Sequence, residues 1–432
     1  MPLLNLAAML VGVTALLAFL NARYLRLPAS IGVTVGGLLF SLLILLLVGL
    51  GVPFAVDVVE VARSVKFSDF VFEGVLSFLL FAGALGVNSH ALWALRAPVL
   101  TFALLSTAIS IALMGGATYG LTHLFGLDVP LVFCLLFGAL ISPTDPVAVL
   151  GMLSQAKVPR RIETLVAGES LFNDGVGVVA FAVLAAVATA SGHGAEHAAG
   201  HGPDLSVLGV SLFFVQEALG GLLLGSVAGL GAYLMLRAVN DFVVEVLVTL
   251  ALVLICTAVA GALHVSAPLA AVAAGLLVGL LTDRRPAALS SREKFDSFWH
   301  LTDELLNIAL FALLALEVVV VRFTPQTALL GVLAIALVLV VRAVSVLLPS
   351  TVLARAYEFP PFTRRLMIWG GLRGAISVAL AFTVPEGEWR DLFLVMTYVV
   401  VVFSIVVQGL TVGGLARQAA AAQQHPDPAS LN

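Results

Sequence analysis

Charge is scarce in this chain. Asp, Glu, Lys and Arg make up 11% of its 432 residues, hydrophobic residues 61%, and mean hydropathy is +1.13. A soluble globular domain carries about 25% charged residues, so that class is excluded and a polytopic membrane protein is indicated. Cysteine is nearly absent. Cys134 and Cys256 each sit inside an apolar run, which excludes a disulfide framework and reads as two small buried hydrophobes. No basic patch with interleaved aromatics occurs, so nucleic acid is not an expected partner. No Lys or Arg precedes Arg23, so the first apolar run lacks the positive flank of a signal peptide and is expected to be a retained helix.

Long apolar runs are what the chain does have. They fall at 3–21, 28–50, 69–87, 98–123, 129–154, 165–190, 206–236, 243–263, 266–282, 299–321, 326–349, 363–384 and 391–414. Each is long enough to span a bilayer as a helix, which predicts an all-α membrane domain over 1–415 with thirteen transmembrane helices. Residues 416–432 are expected to be a short disordered cytoplasmic tail. An odd number of spans puts the termini on opposite sides. With the N-terminus outside, fifteen of the 21 basic residues lie on the inner loops and inner end, and four on the outer loops. Only Arg342 and Arg373 lie within spans. This asymmetry predicts a cell membrane protein with its C-terminus in the cytoplasm. The loop 191–204 is rich in Gly, Ala and His, and His193, His197 and His201 recur every four residues. Its glycines favour a solvated outer linker over a metal-binding or pH-sensing helix face.

Two spans are interrupted. The fifth contains Ser142-Pro143-Thr144-Asp145-Pro146, and two prolines three apart remove donors and clash with an intact helix. The twelfth contains Gly370-Gly371-Leu372-Arg373-Gly374, similarly poor as helix. Seven spans separate them, so they run in opposite directions. Spans 3–190 and 243–414 then form two six-helix halves of inverted topology, linked by 206–236. Paired, oppositely directed, broken helices point to the midplane site of a secondary transporter. Asp145 in one break and Arg373 in the other are placed to offset the exposed helix-end dipoles.

Between the breaks in chain order lies Val166–Val179, apolar enough to span yet holding Glu169, Ser170, Asn173 and Asp174. A charge at the bilayer centre costs at least ~2.5–3.5 kcal/mol, so two carboxylates in one span imply function. At about 100° per residue, Ser170 and Asp174 share a face, with Asn173 beside them and Glu169 at its edge. A carboxylate away from water is unstable as a bare charge, so proton and cation can compete for its oxygens near neutral pH. Asp174 is the expected exchanging group, beside the opened backbone at Thr144. Arg342, inside the eleventh span, needs a buried partner, and Glu169 is the first choice. Asn173 cannot carry a proton and is expected to hold the broken helices by hydrogen bonds. Glu73, Glu217 and Glu317 are expected near interfaces. Asp303, Glu304 and Asn307 are expected at an inner funnel that concentrates cations.

Gly168-Glu169-Ser170-Leu171-Phe172-Asn173-Asp174-Gly175, Ser142-Pro143-Thr144-Asp145-Pro146-Val147-Ala148 and Gly370-Gly371-Leu372-Arg373-Gly374-Ala375 resemble the first family of monovalent cation/proton antiporters. That family holds the NhaP-type prokaryotic Na+/H+ antiporters and the animal sodium/proton exchangers. The resemblance implies the thirteen-helix inverted-repeat fold, of NhaA-like type, and a homodimer. It implies a Na+ site from Asp174, Ser170 and Thr144 with Asp145 nearby, and a Glu169–Arg342 ion pair. It implies electroneutral exchange of Na+ (or Li+) for H+, with Asn173 where electrogenic relatives have aspartate. No cofactor is implied. One departure stands out: Leu79-Leu80-Phe81 is followed by Ala82, where many members have an acidic residue. Three other readings remain: a K+/H+ antiporter on the same scaffold, an intramembrane protease using Asp145 and Asp174, and a channel.

Overall fold

The computed structural model describes residues 3–64, 67–190, 206–284, 289 and 291–424. The His193, His197 and His201 loop lies outside them. The apolar runs fold as helices. In chain order these are α1 (Leu3–Leu20), α2 (Ala29–Gly49), α3 (Pro53–Ser64), α4 (Phe67–Gly86), α5 (Arg96–Leu124), α6 (Leu131–Ile141), α7 (Val147–Gln155), α8 (Arg160–Ala188) and α9 (Val207–Ala238). There follow α10 (Phe242–Leu263), α11 (Ala267–Arg284), α12 (Arg292–Glu317), α13 (Pro325–Leu353), α14 (Thr363–Trp369), α15 (Ala375–Phe382), α16 (Arg390–Phe403) and α17 (Gly409–Gln424). A π-helical turn, Ser404–Gln408, joins α16 to α17. Among the described residues, ten helical runs have the length and apolarity to cross a membrane.

Local sequence sets several starts. Thr324 closes a capping box with Thr327, and Pro325 supplies a preset φ at the first position of α13. The Asp241 side chain accepts from the Val243 and Val244 amides and starts α10. Packing then follows apolar faces. Phe81 on α4 meets Trp299 on α12 with ring centroids 4.7 Å apart, and Phe137 on α6 stacks on Phe393 of α16 at 5.3 Å. Large apolar side chains such as Phe19, Leu46, Leu223, Leu247 and Val340 face outward, as acyl-chain surroundings require.

Two features differ from the sequence expectation. α3 is a helix where the apolar-run criterion leaves a loop, because its Asp57, Glu60 and Arg63 break the run while keeping helical spacing. At the other end, α17 continues to Gln424 through an Ala-rich stretch, past the expected boundary at 415. Alanine has the highest helix propensity, and Ala416 and Ala419 are buried against the bundle.

The interrupted spans are broken where the prolines and glycines fall. Between α6 and α7 and between α14 and α15 the chain leaves the helix, and the two stretches meet in an antiparallel bridge at Asp145 and Leu372. The Asp145 amide donates to the Leu372 carbonyl at 2.8 Å. Four half-helix ends therefore converge at one crossing, with α8 packed beside it.

Candidate functional site

The crossing joins two negative and two positive helix ends, and charged side chains answer each. α6 ends at Ile141, so its last carbonyls point into the crossing. Arg373 Nη1 donates to the carbonyls of Ser142 and Pro143, the latter at 3.2 Å. α14 ends at Trp369. Arg342 Nε and Nη2 donate to the Met367 carbonyl in its last turn, at 3.2 and 2.9 Å. At the opposite poles, Asp145 Oδ1 accepts from the Val147 amide at 2.9 Å, at the start of α7. Its carboxylate also abuts Gly374, at the start of α15. Anions at helix N-termini and cations at C-termini are both stabilising, more so when partly buried. The expectation that Asp145 and Arg373 offset dipole ends describes this geometry. The part played by Arg342 at α14 was not foreseen, because its acceptor is a backbone carbonyl that no side-chain pattern marks.

Arg342 meets Glu169 as expected. Nη1 donates to Oε1 at 2.8 Å and Nη2 to Oε2 at 3.1 Å, a two-pronged pair with both side chains buried. Such pairing is the geometry in which a guanidinium and a carboxylate best hold each other's charge. The pair lies against glycine: a Cβ on Gly371 would stand 2.4 Å from Arg342 Nε. Gly371→Ala is expected to force the guanidinium aside and destabilise the protein by about 1–3 kcal/mol, as overpacking does elsewhere. A thermal-shift measurement in detergent checks this, and an unchanged melting temperature would contradict the close contact.

Asn173 is a hub. Its Nδ2 donates to the Ser142 carbonyl at 3.1 Å and to Thr144 Oγ1 at 3.2 Å, while its Oδ1 accepts from Thr107 Oγ1 at 2.7 Å. The amide thus ties α8 to the α6–α7 break and to α5. Thr107 was missed, though three hydroxyls at Ser106, Thr107 and Ser110 in an apolar span are a signal that could have found it. Also missed were Ser404 and Gln408 in the π turn. Ser404 Oγ accepts from the Arg373 amide at 2.8 Å, and Gln408 Nε2 donates to the Trp369 carbonyl at 3.1 Å. A π turn is a common device at functional sites, and here it satisfies the unwound α14–α15 backbone.

Ser170 Oγ and Thr144 Oγ1 stand 3.0 Å apart, both buried. Asp174 is 5% exposed and has no hydrogen-bond partner for Oδ1. A buried oxygen without a donor is rare and calls for an occupant such as an ion, a proton or water. Asp174 lines a cavity of about 1390 Å³ together with Asp145, Ala82, Asp303, Glu304 and Asn307. The cavity runs to the end of the bundle where α7 stops, α8 starts and α11 passes to α12, past Arg160, Asp283 and Arg292. The funnel residues expected from sequence are thus brought to the same cavity. Ala82 faces it without offering an acid. Glu217 is half-buried. Glu317, expected at an interface, is 3% exposed. The apolar residues that follow it, Val318 and Val319, are buried as well. The side chain of Glu73 lies outside what is described.

Comparison with known proteins follows the same lines. The family model described as "Sodium/hydrogen exchanger, transmembrane" matches residues 12–418. The chain is 41% identical over 427 residues to the Na(+)/H(+) antiporter NhaP of Pseudomonas aeruginosa, covering 98% of each. It is 31% identical over 401 residues to the Na(+)/H(+) antiporter NhaH of Halobacillus dabanensis, covering 92% of this chain and 93% of that one. Its fold is similar to that of the sodium proton antiporter MjNhaP1 from Methanocaldococcus jannaschii. The TM-score is 0.73 at 17% identity, over 97% of this chain and 100% of the other.

Proposed function

The chain belongs to the sodium/hydrogen exchanger family, and from that premise we propose that it exchanges Na+ (or Li+) for H+ across a membrane, one for one. In this reading proton and cation compete for the Asp174 carboxylate. The charge count at the crossing carries it. Three carboxylates, Asp145, Glu169 and Asp174, gather with two guanidiniums, Arg342 and Arg373: Asp174 interacts with Asp145, Glu169 and Arg373, and Arg342 with Glu169 and Arg373. Arg342 is committed to Glu169, and Arg373 and Asp145 to helix ends. With all five ionised the cluster carries one negative charge too many. One proton or one monovalent cation on Asp174 balances it.

The chemistry of the donors suits both occupants. A hard cation takes oxygen ligands, and Asp174 Oδ1, Ser170 Oγ and Thr144 Oγ1 supply a carboxylate and two hydroxyls. Those hydroxyls now hydrogen-bond to each other and can turn their lone pairs to an ion without backbone change. Asn173 holds the α6–α7 break at a fixed distance from α8. The cavity gives water and ions a path to Asp174 from one end of the bundle. Loaded with either ion, the crossing is neutral and can pass the apolar barrier. Bare, it carries a net charge whose transfer costs at least ~2.5–3.5 kcal/mol. That difference couples the two fluxes.

The finer architecture belongs to the same proposal. It comprises thirteen spans in two inverted halves joined by 206–236, alternating access about the crossing, a homodimer, and an outside N-terminus. The antiparallel meeting of the two breaks supports inversion, and the skew of basic residues supports the orientation, which makes the open end of the cavity cytoplasmic. The relatives reported above are named for Na+, which leaves the K+ reading without support. An exchanger is not an enzyme, and the protease reading would need the Asp145 carboxylate that the α7 amide already holds.

Electroneutrality is open to direct test. Na+-driven proton movement in proteoliposomes is expected to run at the same rate with the membrane voltage clamped by valinomycin and K+ as without. A rate that rises with an imposed potential would show unequal charges moving and overturn the one-for-one count.

A further inference from the structure

Asp174 is not alone in its cavity. α12 brings Asp303 and Asn307 to the same space, one helical turn apart. Asn307 Nδ2 donates to Asp303 Oδ1 at 3.2 Å and to the Asp303 carbonyl at 2.9 Å. Only one orientation of the amide fits, because both neighbours are acceptors. Asn307 is 5% exposed, and with Nδ2 committed, its Oδ1 finds no donor among the described residues. The amide oxygen of a residue that lines the cavity is thus left open beside a carboxylate.

Charge sets this position apart from the mouth. There, Asp283 and Asp296 share Arg292, each at 2.8 Å, so a guanidinium offsets part of both charges. Asp303 makes no ion pair among the described residues. The groups that face it are His300, Glu304, Asn307 and Asp145. Asp145 in turn acts on Asp174. On α12 Asp303 lies two turns beyond Asp296, between the mouth and the crossing.

We propose that Asp303 and Asn307 form a second, staging site for a monovalent alkali cation, filled from the cavity before the ion passes to Asp174. Asp303 supplies a carboxylate oxygen, Asn307 its free amide oxygen, and water the rest, the oxygen donors a hard cation prefers. The proposal rests on the exchange reading, and the test separates the two. Tl+ is a dense stand-in whose anomalous scattering locates it in crystals of the full chain. Two peaks are expected, one at Asp174 and one between Asp303 and Asn307. Asp303→Asn should lose the second alone, and Asp174→Asn the first alone. A wild-type peak at Asp174 without one at Asp303 overturns the staging site and leaves exchange standing. A peak at Asp303 without one at Asp174 overturns the exchange reading, and with it the staging role. Absence of both overturns both.

Transport gives a second readout. With Na+ supplied on the cavity side, Asp303→Asn should raise KM roughly tenfold, the loss of one charged ligand, with the maximal rate unchanged. Asp303→Glu should restore it, and Asn307→Leu should raise KM by a smaller factor. The shift should survive high choline chloride. A diffuse surface field would be screened there within a few ångströms, so a KM change that vanishes in salt, or no change at all, overturns the site.

Discussion

Asp174→Asn is expected to reduce Na+-driven proton movement in proteoliposomes to about 1% of wild type or less, while the protein stays folded. An amide can accept a hydrogen bond but can neither carry the exchanged proton nor offer a full negative charge to the cation. A hundredfold loss corresponds to ~2.7 kcal/mol in barrier height, no more than the cost of moving one unneutralised charge across an apolar barrier. The fold has no reason to suffer. Asp174 Oδ1 has no partner to lose, and asparagine keeps nearly the same shape and volume. Removing an uncompensated buried charge should leave the melting temperature level or raise it. Lost transport with equal or higher stability is the mark of a group kept for function. Lost transport with a large drop in melting temperature would mean that Asp174 holds the crossing together instead.

Glu169→Ala and Arg342→Ala should show the reverse. Each leaves one buried charge alone, and breaking a buried pair from one side costs about 3–5 kcal/mol. Arg342→Ala should be the worse of the two. It strips the Met367 carbonyl of both its donors as well as stranding Glu169, whereas Arg342 in the Glu169→Ala variant keeps Met367. The double alanine variant should lose less than the sum, because neither charge is then stranded. Thermal unfolding followed by intrinsic fluorescence gives all three. Single variants that melt with the wild type would mean that the pair contributes nothing to holding α8, α13 and α14 together.

The sequence carried the parts of this site that break a rule. Pro143 and Pro146 in an apolar run, two adjacent glycines beside Arg373, and acids in Val166–Val179 are each costly in a lipid-embedded helix. Cost without function is not expected. The same logic paired Arg342 with Glu169, since a lone buried arginine is untenable. What stayed hidden lacks such a signal. The Met367 and Ser142 carbonyls are acceptors in every chain, and only folding shows which ones an arginine reaches. Thr107, Ser404 and Gln408 are cheap polar residues in helices distant in sequence, and their pairing with Asn173, the Arg373 amide and the Trp369 carbonyl depends on how the helices pack. α3 escaped notice because an amphipathic helix is not an apolar run. The burial of Glu317 escaped because sequence position near a helix end does not report what covers it.

Competition for one carboxylate is tested most directly on the purified protein, without a membrane. Adding Na+ to the weakly buffered, detergent-solubilised chain at a pH where the site is protonated should release protons, up to about one per protomer, as expected when a metal ion takes a ligand that must first be deprotonated. A pH-sensitive dye reads the release. It should be absent in Asp174→Asn. Sodium that binds without displacing a proton, or release that persists undiminished in that variant, would contradict it.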